Sequence, residues 1–151
     1  MTKILIATYS WSGRTQAVAQ KLAKNLENAD TYTLEVASDT FDNDMFETDA
    51  IATSQIKSGN YPKLVNKSPD ISNYDLILVG SPVWRGAPAT PVYTFLEEVK
   101  DYSGKVASFY TDAGSAGSYE ETFREWAHDL NVVGTHEGSA NDLVAWVKGL
   151  S

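Results

Sequence analysis

The first legible segment is the run Ile4 to Tyr9, apolar almost throughout and closed by Ser10 and Gly13. That is the pattern of a strand covered on both faces in a parallel sheet. From Thr15 the period changes. Val18, Leu22 and Leu26, with Ala19 and Ala23, fall on one stripe and Lys21, Lys24 and Glu27 lie elsewhere on the cylinder, which predicts an amphipathic helix. Residues 31–36 alternate, with Tyr32, Leu34 and Val36 to one side and Thr33 and Glu35 to the other, as in a half-exposed edge strand. Polar and acidic residues dominate 37–73, and the short apolar groups around Met45-Phe46 and 51–56 fit no clean period. A short helix near 46–57, with loops around it, is expected there.

Leu76-Ile77-Leu78-Val79-Gly80 predicts a third, buried strand. Thr90 before Pro91 places an N-cap ahead of a proline at the first helical position, and Val92, Phe95, Leu96 and Val99 follow at i, i+3, i+4 and i+7. Val106 to Thr111 is the fourth strand. Ser118-Tyr119-Glu120-Glu121 is a capping box opening a helix with the stripe Phe123, Trp126, Ala127 and Leu130. Residues 132–135 give a short fifth strand. Ser139-Ala140-Asn141-Asp142 caps a last helix that carries Leu143, Trp146, Val147 and Leu150 on one face. Strand-helix alternation repeated in this way specifies an α/β fold, a doubly wound five-stranded parallel sheet with helices on both faces. The commonest order at this size is 2-1-3-4-5, and in such sheets ligands bind beyond the carboxyl ends of the strands, at the switch point between strands 1 and 3.

Composition narrows the chemistry. The 151 residues suit a single domain, 1–151, large enough to bury a core without staples. With no cysteine, disulfide scaffolds, thiolate metal sites, iron-sulfur ligation and cysteine nucleophiles are excluded, and no metal ligand set is expected. The balance of 12 basic against 20 acidic residues gives a net charge of −8, which repels nucleic acid and anionic membranes and attracts basic partners. The amino-terminal apolar run is too short to span a bilayer and has neither a basic lead nor a small-residue cleavage pattern, so a cytoplasmic location without membrane insertion is expected.

Three loops lie where the ligand should be. Loop one, Ser10-Trp11-Ser12-Gly13-Arg14-Thr15, carries three hydroxyls, a glycine and the unpaired N–H groups of a helix start, a ready seat for phosphate. Walker A and dinucleotide glycine patterns are absent, and so is the cysteine of a phosphate-loop tyrosine phosphatase. A phosphoacceptor receiver would need acidic residues where this chain has Tyr9-Ser10 and Ser81-Pro82. Loop two, 81–88, holds Trp84 between Pro82 and Pro88, positioned to cover a planar ligand. Loop three, Thr111-Asp112-Ala113-Gly114-Ser115-Ala116-Gly117-Ser118, is built of small residues that let backbone approach a ligand. A phosphate pocket, a rigid aromatic and close-approach backbone at adjacent strand ends describe a flat heterocycle with a terminal phosphate, which suits FMN.

Tyr9-Ser10-x-Ser12-Gly13-x-Thr15 resembles the phosphate-loop signature of flavodoxins. The stretch from Tyr74 through Val79-Gly80-Ser81-Pro82-Val83-Trp84 resembles the strand and first isoalloxazine loop of the same family, and Ser103-Gly104-Lys105-Val106 leading to Phe109-Tyr110-Thr111 is similar as well. With no long insertion in strand 5, the resemblance is to the short-chain type. It implies that Ser10, Trp11, Ser12, Gly13, Arg14 and Thr15 hold the FMN phosphate. Pro82, Val83, Trp84, Arg85 and Gly86 would lie along the ring, and Thr111, Asp112, Ala113, Gly114 and Gly117 would meet its pyrimidine edge. Two positions depart from the pattern: many members have glycine where this chain has Arg85, and the candidate for a second stacking aromatic, Tyr119, falls at a helix start. The implied function is low-potential electron transfer by FMN between a reductase and acceptor redox enzymes, such as flavin or iron-sulfur proteins with basic docking surfaces. The alternative is an FMN-dependent NAD(P)H:quinone-type oxidoreductase on the same fold. Asp112, Glu120 and Glu121, and the run Asp39, Asp42, Asp44, Glu47 and Asp49, are the acidic groups available for steering partners.

Overall fold

The computed structural model describes residues 3–11, 13–41, 44–66, 69–111 and 117–150. The chain runs through β1 (Ile4–Thr8), α1 (Arg14–Asn25), β2 (Ala29–Thr33), α2 (Met45–Ser58), a 3-10 turn (Ile71–Asn73), β3 (Leu76–Trp84), β4 (Ala87–Pro88), α3 (Thr90–Glu98), β5 (Lys105–Thr111), α4 (Tyr119–Trp126), β6 (Asn131–Glu137) and α5 (Leu143–Leu150). The parallel strands lie in the order β2-β1-β3-β5-β6, with β4 paired antiparallel to β3 off that path. Without β4 this is the expected 2-1-3-4-5 sheet. β1 and β3 are neighbours in register, Ile4 opposite Leu76 and Thr8 opposite Gly80, so the switch point lies between their carboxyl ends.

Alternation along the strands explains why helices cover both faces. Leu5, Ala7, Ile77, Val79 and Val106 point into a core shared with Phe95 and Leu96 of α3 and Phe123 of α4. Ile4, Ile6, Leu76, Leu78 and Phe109 point the other way, against Ala19 and Leu22 of α1 and Leu143 and Val147 of α5. Packing within the sheet requires glycine at position 80. A β-carbon on Gly80 would fall 2.3 Å from Phe109 Cζ and 2.7 Å from Thr8 Cγ2, because the Phe109 ring fills the space above the strand end.

Local expectations meet tertiary contacts and shift. β2 ends at Thr33 rather than Val36, although Leu34 is still buried and its N–H donates to the Thr8 carbonyl at 2.7 Å. α2 begins one residue early, where the Asp44 carboxylate accepts from the Phe46 N–H at 2.9 Å, and it closes on Gly59 at φ 74°. The capping box at Ser118 does not form a side-chain cap. Thr90 is a helical residue rather than the cap of α3, which is Ala89. Its hydroxyl donates instead to Gln55 Oε1 at 2.5 Å, tying α3 to α2. β6 is longer than the expected 132–135 and slips register against β5 between Val106 and Ala107. Asp142 precedes α5 and meets His136 Nε2 at 2.9 Å. No helix among the described residues is long and apolar enough to cross a membrane.

Candidate functional site

The carboxyl ends of β1, β3 and β5 deliver the three loops to one place. Tyr9 leaves β1 with its N–H donating to the Gly80 carbonyl at 3.0 Å. The Ser10 hydroxyl oxygen then accepts from the Gly13 N–H at 2.9 Å, and Gly13 takes φ 92°, turning the chain into α1. A helix start leaves its first N–H groups without carbonyl acceptors inside the helix, and the cap residue of α1, Gly13, has no side chain to offer them. Those donors sit beside the glycine turn in a partly positive field. Ser12 lies outside the described residues.

Thr15, in the first turn of α1, is 1% exposed, and its hydroxyl bonds that of Thr111 at the end of β5 across 2.8 Å. This contact joins loop one to loop three, over 96 positions of sequence. Loop three joins loop two at its far end. Gly117 has φ 56°, and a β-carbon there would stand 2.9 Å from Gly86 Cα, so glycine at 117 lets the two backbones touch. Asp112, Ala113 and Gly114 lie outside the described residues.

Loop two is not a loop in its first half. β3 continues through Ser81, Pro82 and Val83 to Trp84 and folds back in a hairpin, Val83 opposite Pro88 and Trp84 opposite Ala87. Arg85 at φ 52° and Gly86 at φ 75° form the two-residue turn. The Ser81 hydroxyl secures the return by accepting from the Ala89 N–H at 2.9 Å. This geometry corrects the expected open rim position of Trp84. The indole is 3% exposed, packed edge-on to Tyr9 at 5.7 Å and to Phe41 at 5.0 Å between ring centroids. A large apolar ring gains more from such burial than from an open turn. Pro82, Val83 and Gly86 remain half-buried, and the Arg85 side chain faces outward.

Tyr119 is fully buried beneath this edge. Ser108 donates its hydroxyl proton to the Val79 carbonyl at 2.9 Å, so the Tyr119 hydroxyl donates to Ser108 Oγ at 2.8 Å. Burial pushes the Tyr119 phenol up, and burial likewise pushes Tyr9 up, to about 12. An unfolded tyrosine ionises near 10. A raised folded value means that the native state holds its protons longer, so stability is complete below pH 10 and is lost as pH rises through 12. Urea midpoints should be level from about pH 7 to 9 and then fall in step with phenolate absorbance. Midpoints level to pH 12 would show that neither phenol is linked to folding.

The acidic residues divide by role. Asp44 caps α2, and Asp49 forms an ion pair with Arg85. Glu120 accepts from Thr135 Oγ1 at 2.6 Å and pairs with Arg124, which together hold its carboxyl below the ordinary range. Glu120 and Glu121 in the first turn of α4 also favour that helix through its dipole. Asp39 and Glu47 are exposed, and Asp42 lies outside the described residues. Sequence reasoning missed Phe41 and the Asp49–Arg85 contact. Their only signal was one aromatic and one acid in a region without period. Beside loop one, Tyr9, Trp11, Glu35, Val36 and Phe41 line an open groove of about 400 Å³.

The model of a flavodoxin family, Flavodoxin_4, matches residues 3–148. Among solved structures, a flavoprotein from Lactobacillus acidophilus crystallised in complex with FMN is 41% identical, with a TM-score of 0.91 over 97% of this chain and 99% of that one. The apo-form of the flavoprotein from the same organism, solved by NMR, is 42% identical, with a TM-score of 0.78 over 97% of each chain. A two-electron reduced flavodoxin from Megasphaera elsdenii, 19% identical over 92% of this chain and 88% of that one, shares the fold at a TM-score of 0.52.

Proposed function

The chain belongs to the flavodoxin family, and from that premise we propose that it is a small electron carrier, passing electrons between a reductase and acceptor redox enzymes. The cofactor is FMN, as in the similar flavoprotein crystallised with it. The observation that carries the reading is the junction of three loops around a helix start whose cap residue is a glycine. Thr15 meets Thr111, Gly117 touches Gly86, and Gly13, at φ 92°, turns the chain into α1.

These residues fit the group. Phosphate oxygens need several donors and a positive local field, which the start of α1 and the hydroxyls of Ser10, Ser12 and Thr15 supply. Trp11, Gly13 and Arg14 complete that loop. A flat ring needs backbone close by, and the contact of Gly117 with Gly86, too tight for a β-carbon on Gly117, brings the backbones of loops two and three together at this edge. In this assignment Pro82, Val83, Trp84, Arg85 and Gly86 line one side of the ring, Trp84 by supporting the turn from beneath. Thr111, Asp112, Ala113, Gly114 and Gly117 line the pyrimidine edge. FMN supplies the one- and two-electron chemistry when bound. The protein binds it, orients it, and sets the field around it with a net charge of −8. Negative charge disfavours the anionic reduced ring and lowers its potential.

A visible absorption spectrum of the purified protein, with mass identification of the released chromophore, tests the cofactor. Stopped-flow reduction by a flavin reductase tests the carrier role. The bimolecular rate should fall with salt, since charges farther apart than about 8 Å are screened at physiological ionic strength. A salt-independent rate would remove electrostatic steering. Sustained NADPH oxidation with quinone and no added reductase would make the protein an enzyme instead.

A further inference from the structure

The turn between β3 and β4 is unusual in its first residue. Two-residue hairpin loops with positive φ at both positions are type I′ turns, normally built from Asn-Gly, Asp-Gly or Gly-Gly. Here the pair is Arg85 at φ 52° and Gly86 at φ 75°. Glycine adopts that conformation freely, whereas the β-carbon of an arginine crowds the following carbonyl oxygen. Something outside the turn must hold Arg85 there. Its side chain reaches back to α2, where Nε donates to the carboxylate of Asp49. The Asp49 side chain is 18% exposed against 69% for Arg85, so the acid is the fixed end of the pair. From the other side Gly86 rests against Gly117. The turn is thereby gripped by a helix on one flank and by the end of loop three on the other.

We propose that Asp49 is a positioning residue for the flavin-facing turn. Its carboxylate holds Arg85 in the left-handed region and keeps the guanidinium paired, away from the ring. This rests on the reading that residues 82–86 lie along FMN. An ion pair this exposed adds little to global stability. Its effect falls on the shape and charge of the turn. Loss of Asp49 releases the backbone to other conformations and leaves an uncompensated cation beside the ring, which favours the anionic reduced form and raises the midpoint potential.

Four proteins decide it: the parent, Asp49→Ala, Arg85→Gly and the double variant. Asp49→Ala should weaken FMN binding by about tenfold and raise the midpoint potential, with the urea midpoint of the apo-protein unchanged. In the Arg85→Gly background the same substitution should leave FMN affinity where it was, because glycine needs no tether, and should raise the potential by less than in the parent, because only the lost carboxylate then acts on the ring. Equal effects of Asp49→Ala in both backgrounds, or none in the parent, would overturn the proposal. If the parent itself takes up no FMN, the functional reading fails, and the tether is judged on apo-protein by relaxation dispersion at the Arg85 and Gly86 amides. Exchange that appears in Asp49→Ala and is absent from the double variant supports it. Identical profiles in the parent and Asp49→Ala overturn it.

Discussion

Apo-protein titrated with FMN and with riboflavin will separate the two ligands by at least about two orders of magnitude. They share the ring and differ in the phosphate, so the ratio of affinities isolates loop one. The Ala17 N–H is bonded to the Gly13 carbonyl, so the intrahelical ladder of α1 begins at the glycine turn and its first turn lies beside loop one. Each charge-assisted bond to phosphate is worth roughly 1.5 to 3 kcal/mol, and two of them already give about a hundredfold. Thr15→Val keeps the shape of the side chain and removes its hydroxyl. It should cost FMN about tenfold or more and leave riboflavin nearly unchanged, since the neutral ligand never used that bond. The apo-protein should lose about 1 kcal/mol as well, because the buried Thr111 hydroxyl is deprived of its 2.8 Å partner. If the hydroxyls of loop one served only as helix caps, FMN and riboflavin would bind the parent equally. That result would end the assignment of the phosphate site.

The sheet order and its helical faces are legible because β1 and the first half of β3 are runs of apolar residues buried on both sides, β5 is buried from Val106 to Phe109, and no half-exposed arrangement accommodates Leu76-Ile77-Leu78-Val79. The position of loop one follows from the same logic, since Ser10 and Gly13 end the first run. The edge of loop two is not legible. Gly80 and Pro82 read as the end of a strand, yet Gly80 is a glycine because Phe109 occupies its side-chain space, a contact made across β3 and β5. The hairpin is hidden for a related reason. Its turn begins with arginine, which carries no local preference for positive φ and holds it with a partner 36 residues earlier. Ser118 and Thr90 show the opposite error, in which a valid local cap signal gives way to tertiary bonds such as that between Thr90 and Gln55. Region 37–73 has no period because much of it anchors rather than packs: Asp44 caps, Gln55 and Asp49 tether, and Phe41 closes over Trp84.

Trp84→Ala should destabilise the apo-protein by about 3 to 5 kcal/mol, the range for deleting a buried large aromatic, against the 5 to 15 kcal/mol that a domain of this size commonly holds in total. The loss has two parts. The cavity opens directly beneath the β3–β4 hairpin, where Tyr9 and Phe41 make their edge contacts with the indole. The ring of Tyr9 also leads into loop one, so relaxation of that cluster loosens the entry to α1. Trp84→Phe should recover most of the stability, because a phenyl ring still fills the floor and can keep an edge-to-face arrangement. FMN affinity should follow the same ranking, parent above Phe above Ala, since the ring-facing turn loses its support before it loses any direct contact. An open rim tryptophan gives a different pattern: apo-protein stability within about 0.5 kcal/mol of the parent for both variants, and affinity lost through stacking alone. Urea denaturation of the three apo-proteins distinguishes the two. A loss below about 1 kcal/mol in Trp84→Ala would mean that the indole is not the floor of the site.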